Sequence, residues 1–476
     1  MQQLMVLCLI LLMGGFALAK VEYALPDKGQ LVMDSPLEAT FQFGGETGRR
    51  LEASREQWLL PAPYSNPGIV EMIRLRGRDP QLPLPVPWSG EYIGKFLLGA
   101  IEQWQLTGNA ELKAIIQLLV NKVVKYQKPD GYAGPWPEET QLIAQWDLWG
   151  HYHLMMAMLT WYELTKDEQA LTISKRMGDL IARTYVDKGF STLDAPPIEI
   201  NMNIVHSLGW LYRLTGEARY LAQMRQIEED WEKSGDFLRN GLAHIPYFMG
   251  KVTRWESLHG VDGLVEFYRI TGDERYAEAF SNLWDSMRLF DTHTTGGFST
   301  GESAIGDQFA MGSIETCCVI AFNSLSIDEL RVKGNSLAGD ALEQAYWNAV
   351  LGFQHPTCRW YTYDTPMDGR QISAYTVMTG GHGGAGTSEF GCCPANGARG
   401  LGMLAKWAVM ESAAGPVVNY YGPLAVTMPL AQGGKVALRQ VTDYPVSPVV
   451  RLEVTPDAPR EFALRLRIPK WSADTA

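Results

Sequence analysis

Leu208-Gly209-Trp210-Leu211-Tyr212-Arg213-Leu214-Thr215-Gly216-Glu217-Ala218-Arg219-Tyr220-Leu221 is the stretch that decides the fold. An aromatic-rich amphipathic run ends on Thr215-Gly216, and a second run follows almost at once. Glycine just past the last helical residue lets the chain turn left-handed and stop one helix before the next starts. The same signal recurs as Leu106-Thr107-Gly108-Asn109, Leu164-Thr165-Lys166-Asp167 and Ile270-Thr271-Gly272-Asp273, with threonines 58, 50 and 56 residues apart. A helix–turn–helix unit at that period describes stacked helical hairpins. Such hairpins either form an open solenoid or close into an α/α barrel. Pockets of closed α/α barrels often hold sugars, an expectation by analogy only.

A second regularity follows from counting back. His153, Asn203 and His259 each stand 12 residues before the threonine of their own repeat. Equal offsets place them at equal heights on successive helices, so they converge on one cavity if the ring closes. The alternative for each histidine is a satisfied core position. His151, His206 and His244 have no such register.

Outside the repeats the pattern changes. From about Ala414, Phe462, Leu464, Leu466 and Ile468 alternate with Ala463, Arg465 and Arg467, and Val436–Arg439 and Arg451–Val454 alternate similarly. Period-two runs separated by Pro and Gly read as strands of an antiparallel sheet. The expected organisation is a Pro-rich irregular or β segment over 20–88, a helical barrel over 89–413 and a short β-sandwich over 414–476. The N-terminal segment is expected to wrap the barrel and donate strands to that sheet.

The chain has 476 residues, a net charge of −12 and a pI near 5.3, which argues against nucleic acid and anionic membranes as partners. Its 15 Trp and 20 Tyr supply core and some sugar-stacking surface. Met5 to Leu12 is an apolar core followed by Gly14-Gly15 and Ala17-Leu18-Ala19, the form of a secretory signal cleaved after Ala19. A secreted or periplasmic location, with no membrane contact after cleavage, is therefore expected. The mature chain would keep Cys317, Cys318, Cys358, Cys392 and Cys393, and an odd count in an oxidising compartment is not a disulfide framework.

The chemistry gathers at those cysteines. Cys392 and Cys393 are adjacent in Gly391-Cys392-Cys393-Pro394-Ala395-Asn396, and Glu315-Thr316-Cys317-Cys318 lies upstream. Vicinal cysteines rarely bond to each other, because the ring is strained. Two soft sulfurs, one more sulfur and a carboxylate make a plausible tetrahedral zinc set. A thiolate of that set that faces a pocket is also a nucleophile. Glu302 lies in Gly301-Glu302-Ser303, in a Gly-rich loop after Gly296-Gly297-Phe298, and a second Gly-rich loop runs from Gly380 to Gly391.

With these pieces the chain resembles the bacterial β-L-arabinofuranosidase family, glycoside hydrolase family 127, from roughly residue 88 to the end. The matching segments are Trp88-Ser89-Gly90-Glu91-Tyr92-Ile93-Gly94-Lys95, Gln127–Tyr132, Gly301-Glu302, Glu315-Thr316-Cys317 and Gly391–Asn396. The resemblance implies an (α/α)6 barrel followed by a β-sandwich. It implies that Glu315, Cys317, Cys392 and Cys393 bind Zn2+, that Cys392 is the nucleophile and that Glu302 is the general acid/base. His153 and His259 would contact the sugar. Asn203 stands where the family is richer in His and Glu, Cys318 is an extra cysteine beside a ligand, and the terminal sheet is shorter than the family's usual sandwich.

The expected function is retaining hydrolysis of β-linked L-arabinofuranose from an oligo- or polysaccharide. The rivals are a glycosidase of the same architecture for another sugar, a carbohydrate-binding protein with a structural zinc, and a thiol redox sensor.

Overall fold

The computed structural model describes residues 21–78, 86–366, 389–472 and 474–475. The expected leader over 1–19 and most of the Gly380–Gly391 loop lie outside the described residues.

Twelve helices make the barrel: α1 Gly45–Ser54, α2 Glu91–Thr107, α3 Ala110–Tyr126, α4 Asp147–Thr165, α5 Glu168–Ala182, α6 Ile204–Thr215, α7 Ala218–Trp231, α8 Leu258–Thr271, α9 Glu274–Phe290, α10 Thr316–Lys333, α11 Ser336–Gln344 and α12 Cys392–Gly402. The even-numbered helices form the inner ring. Each packs on the next, from α2 to α4, α6, α8, α10 and α12, and α12 packs back on α2, so the ring closes rather than continuing as a solenoid. Helices α3, α5, α7, α9 and α11 lie outside, each against the inner helix that precedes it. Helix α1 lies against α12, so the N-terminal segment, expected to be irregular, supplies an outer helix. Inner helix α4 is buried along nearly its whole length, whereas outer α7 buries one face, as its position requires.

The Thr-Gly signal is explained atom by atom. Thr107, Thr165, Thr215 and Thr271 are each the last residue of an inner helix. Each hydroxyl donates to the carbonyl four residues earlier, at 2.8, 2.6, 2.7 and 2.7 Å. The following residue turns left-handed, with φ of 61° at Gly108, 60° at Lys166 and 72° at Gly216 and Gly272. Asn109, Asp167 and Asp273 then accept a backbone N–H of the next helix at 2.8, 3.1 and 3.0 Å, caps worth about 1 kcal/mol each. A fifth copy lacks the threonine: Lys333 is followed by Gly334 at φ 64° and by the cap Asn335.

The two ends of the ring differ. Backbone N–H groups of Leu25, Lys28 and Val32 donate to the carbonyls of Arg213, Arg269 and Arg331 at 3.1, 2.7 and 2.7 Å. The N-terminal strap therefore crosses the C-terminal ends of α6, α8 and α10 and satisfies carbonyls that a helix end leaves open. The N-terminal ends of the inner helices remain available for a site.

Beyond the barrel, β1 Thr40–Phe43, β6 Leu424–Pro429, β7 Lys435–Val441 and β8 Arg451–Pro456 form an antiparallel sheet in the order β1-β6-β7-β8, with Phe41 opposite Val426. The N-terminal segment thus donates a strand, as expected. A second sheet holds β4 Val409–Ser412, β5 Gly415–Val418 and β9 Arg465–Leu466. The alternating run 462–468 departs from expectation. Only Arg465 and Leu466 pair, and they run parallel to β5. Arg467, one of the polar residues of that alternation, is buried and ion-paired with Asp340 and Glu343 at α11, so charge pairing overrides the alternation.

Candidate active site

Three chain segments meet at the N-terminal end of the inner ring. Short strand β2 Ser313–Glu315 pairs antiparallel with β3 Asp364–Pro366, placing Glu315 immediately before α10. Cys317 is in the first turn of α10, and Cys392 and Cys393 open α12. Helix N-termini carry partial positive charge, which favours thiolates there.

The four expected ligands come together. Their donor atoms all lie within 4.8 Å of one another, and all four side chains are buried. Cys393 Sγ is 3.5 Å from Cys317 Sγ, 3.6 Å from Cys392 Sγ and 3.2 Å from Glu315 Oε1. A tetrahedral zinc with bonds of about 2.3 Å to sulfur needs S···S edges of about 3.8 Å, so this donor set fits zinc in number, type and spacing. Cys318 turns away, with its sulfur 3.5 Å from Glu315 Oε2, and burial pushes its thiol pKa up, as in an inert structural cysteine. Cys358 is buried elsewhere, near Arg50.

A cavity of about 250 Å³ opens beside this cluster, and Cys392 is the cysteine on its wall. Trp88, Trp146, Trp255 and Tyr363 give it aromatic faces; Glu91, Glu256, Glu302 and Glu315 give it carboxyl groups, and Arg254 a guanidinium. Glu302 is held from both sides. Arg254 Nη2 lies 2.5 Å from Glu302 Oε2, and the Tyr363 hydroxyl donates to Oε1. The Glu302 carbonyl accepts from Trp255 N at 3.1 Å. Gly301 has φ 66° with open space where a Cβ would stand, so the backbone conformation, not crowding, calls for glycine. Arg254 also grips Glu256 at 2.6 and 2.9 Å, so one guanidinium serves two carboxylates.

The electrostatics follow from burial. Burial raises the Glu315 pKa well above the carboxylate range, with Cys317, Glu302 and Glu256 adding to it. Burial likewise lifts the Cys392 and Cys393 thiols. At Cys317 burial is opposed and outweighed by hydrogen bonds from Cys392 and Cys393 and by the Lys95 charge, so its pKa lies well below the usual thiol value. Burial also opposes charge on Arg254, but Glu256 and Glu302 overcome it and hold the guanidinium protonated.

His153 and His259 meet, with ring centroids 5.8 Å apart, and Asn203 lies beside Gly260, whose Cβ would meet Asn203 Oδ1 at 2.9 Å. The register argument thus brings the three to one region, yet none lines the described cavity. The His153 ring is 4.3 Å from that of Trp149, and the His259 ring is 6.2 Å from that of Trp255. Both polar atoms of Asn203 and both ring nitrogens of His153 lack a partner among the described residues. Burial, reinforced by Lys95, keeps His153 neutral. His206, His259 and Asp262 form another group with donor atoms within 4.8 Å, in which the Tyr152 hydroxyl already links the two imidazoles at 3.2 and 3.0 Å.

Sequence reasoning missed Arg254 and Tyr363, which come from loops without period. It assigned no role to Lys95, although Lys95 stands 12 residues before Thr107 and so shares the register of the other three.

Comparison with known proteins agrees with this geometry. Residues 49–406 match the model of the β-L-arabinofuranosidase GH127 catalytic domain, and residues 416–476 match the GH127 middle domain. A non-reducing end β-L-arabinofuranosidase of Bifidobacterium longum subsp. longum is 24% identical over 421 residues, covering 76% of this chain. The alignment spans 61% of that relative's length. Among solved structures, a GH127 β-arabinofuranosidase superposes with a TM-score of 0.75 at 20% identity, covering 94% of this chain and 72% of the other. A GH127 β-L-arabinofuranosidase from Geobacillus stearothermophilus T6 gives 0.70 at 19% identity, covering 90% and 75%. These structures support the (α/α)6 barrel with its C-terminal β region. With the catalytic-domain match covering most of its length, the chain belongs to the GH127 β-L-arabinofuranosidase family.

Proposed function

We propose that this protein is a zinc-dependent retaining glycoside hydrolase that releases β-linked L-arabinofuranose from glycans. The observation that carries the reading is the position of Cys392, which belongs to the sulfur cluster and also lines the cavity that holds Glu302. Glu315, Cys317, Cys392 and Cys393 would hold the ion. When bound, zinc would supply the positive charge that keeps its sulfur ligands deprotonated at neutral pH.

In this reading the Cys392 sulfur attacks the anomeric carbon from one face of the sugar. Glu302, held by Arg254 and Tyr363, protonates the glycosidic oxygen that leaves, and then takes a proton from the water that attacks the same carbon and displaces the Cys392 sulfur. Trp88, Trp146 and Trp255 supply faces for the ring and exclude water. His153, His259 and Asn203 are proposed to complete the sugar site from the region beside Trp149 and Trp255, which requires the bound sugar to reach beyond the described cavity.

The family match and the Bifidobacterium relative support this choice of sugar. The apolar run Met5–Leu12 supports export of the mature chain. Turnover of a chromogenic β-L-arabinofuranoside tests the proposal: it should be measurable in the wild type and lost on chelation. An inactive, zinc-loaded protein would sink it.

A further inference from the structure

We propose that Lys95 is a positioning residue for the sulfur cluster, whose ammonium draws charge from Cys317 and so leaves Cys392, at the cavity, the more reactive sulfur. The inference rests on the metal-and-nucleophile reading above and adds a residue to it.

Lys95 is fully buried on α2, one turn after Glu91. Its Nζ lies 2.9 Å from Glu91 Oε2 and 3.7 Å from Cys317 Sγ. The rings of Trp255 and Trp149 flank it at 4.9 and 5.5 Å from their centroids, a placement in which aromatic faces replace water around the cation. Glu91 is itself fixed by a hydrogen bond from the Trp149 indole. The ammonium is therefore held in place from several sides, and the sulfur it hydrogen-bonds is that of Cys317.

The cluster is lopsided as a result. Cys317 receives two side-chain N–H donors, Lys95 and Asn396 Nδ2, the latter at 3.5 Å. Among the described residues, Cys392 and Cys393 receive none. Three thiolates and a carboxylate carry four negative charges, and a divalent cation cancels only two. A cation packed against the cluster offsets part of the excess, and where it sits decides which sulfur is left electron-rich. Hydrogen bonds to a metal-bound sulfur lower its donor strength. Lys95 and Asn396 donate to Cys317, which does not line the cavity, and so quiet that sulfur rather than Cys392 on the cavity wall.

The test compares wild type, Lys95→Met and the double variant Glu91→Gln/Lys95→Met in the full chain. The double variant removes both charges of the buried pair, so it avoids a lone buried carboxylate that could unfold the single one. Zinc retention is read by competition with a chelator. The spectroscopic readout is the thiolate-to-metal charge-transfer band of the cobalt-loaded proteins. Both variants should hold zinc about tenfold or more less tightly, because losing the partner that fixes the Cys317 side chain outweighs the stronger donation of the freed sulfur. Their cobalt band should move to lower energy, because a sulfur freed of its donor gives up charge more easily.

An unmoved band in both variants would overturn the inference even with zinc loosened, since loosening alone would be a packing effect. Wild-type affinity in both would overturn it as well. A wild-type protein that takes up neither metal would overturn the zinc reading and this inference together, which distinguishes that failure from the other two.

Discussion

Arg254 places one guanidinium nitrogen 2.5 Å from Glu302 Oε2 while its fork holds Glu256. Lysine cannot reproduce that double grip, because it offers a point charge rather than a planar fork. Arg254→Lys should lower kcat/KM by about tenfold or more by letting Glu302 swing. Glu302→Gln should slow substrates with poor leaving groups far more than activated aryl glycosides, since only the former need a proton. Parallel kinetics on the two substrate types check both variants. Equal losses on both for Glu302→Gln would reassign Glu302 to binding.

Zinc should be present at one ion per chain, because the cluster offers one complete set of three sulfurs and a carboxylate. Cys393→Ser should loosen it and lower the melting temperature, as binding energy at a site that joins two distant segments is also folding energy. Elemental analysis with thermal melts before and after chelation checks this. Melting unchanged by stoichiometric zinc loss would contradict the stabilising role.

Acid should weaken the barrel through Glu266. Arg213 grips this carboxylate at 2.7 and 3.0 Å inside the ring, near the strap. Burial acts against its charge, but Arg213 and Arg269 outweigh burial and hold its pKa down from 4.5 to about 2. The unfolded chain therefore binds this proton more readily than the folded one. The contribution is full above the ordinary carboxylate value and is lost as pH falls toward 2. A shift of this size is worth about 3 kcal/mol. Glu266→Gln should flatten the fall of the urea midpoint between pH 5 and pH 3, a window set by the same shift. A wild-type acid slope in that variant would reassign the effect to other carboxylates.

His153 and His259 decide between a sugar contact and a core role. Alanine at either should cost on the order of 1–3 kcal/mol in transition-state binding if a hydroxyl reaches them. A lowered melting temperature with unchanged kcat/KM would return both to the core.

How far this was legible in the sequence depends on locality. The hairpins were readable because hydroxyl and left-handed residue lie together at Thr107, Thr165, Thr215 and Thr271, with a side-chain cap two positions on at all but Thr215. The fifth turn was hidden because Lys333 replaces the threonine. Helix α1 was missed because it sits in a Pro-rich segment and docks on α12, a contact far away in sequence. The cluster of Glu315, Cys317, Cys392 and Cys393 was legible because adjacent cysteines constrain their partners chemically. Arg254 and Tyr363 were not, because each reaches Glu302 from a different loop. Lys95 carried the right register, but a lysine on an amphipathic helix ordinarily faces water, and only the packed ring shows it turned inward.

The boldest claim is covalent chemistry at Cys392. Its sulfur is on the cavity wall, 3.9 Å from Glu315 Oε1 and 3.6 Å from Cys393 Sγ, so any sugar it attacks is already inside the pocket with Glu302. Two successive displacements at the anomeric carbon restore its configuration, whereas a single attack by water inverts it. A haloacetamide-bearing arabinofuranosyl analogue should label one residue, and peptide mapping should place the label on Cys392. Cys392→Ser should lose nearly all turnover, but zinc loss alone would have the same effect, so that variant does not separate the two roles. Stereochemistry does. In a reaction containing methanol, proton NMR should show that the first-formed methyl glycoside keeps the β configuration. An inverted product would leave Cys392 as a zinc ligand only, and a cavity carboxylate outside the ligand set, Glu91 or Glu256, would then have to act as base toward water.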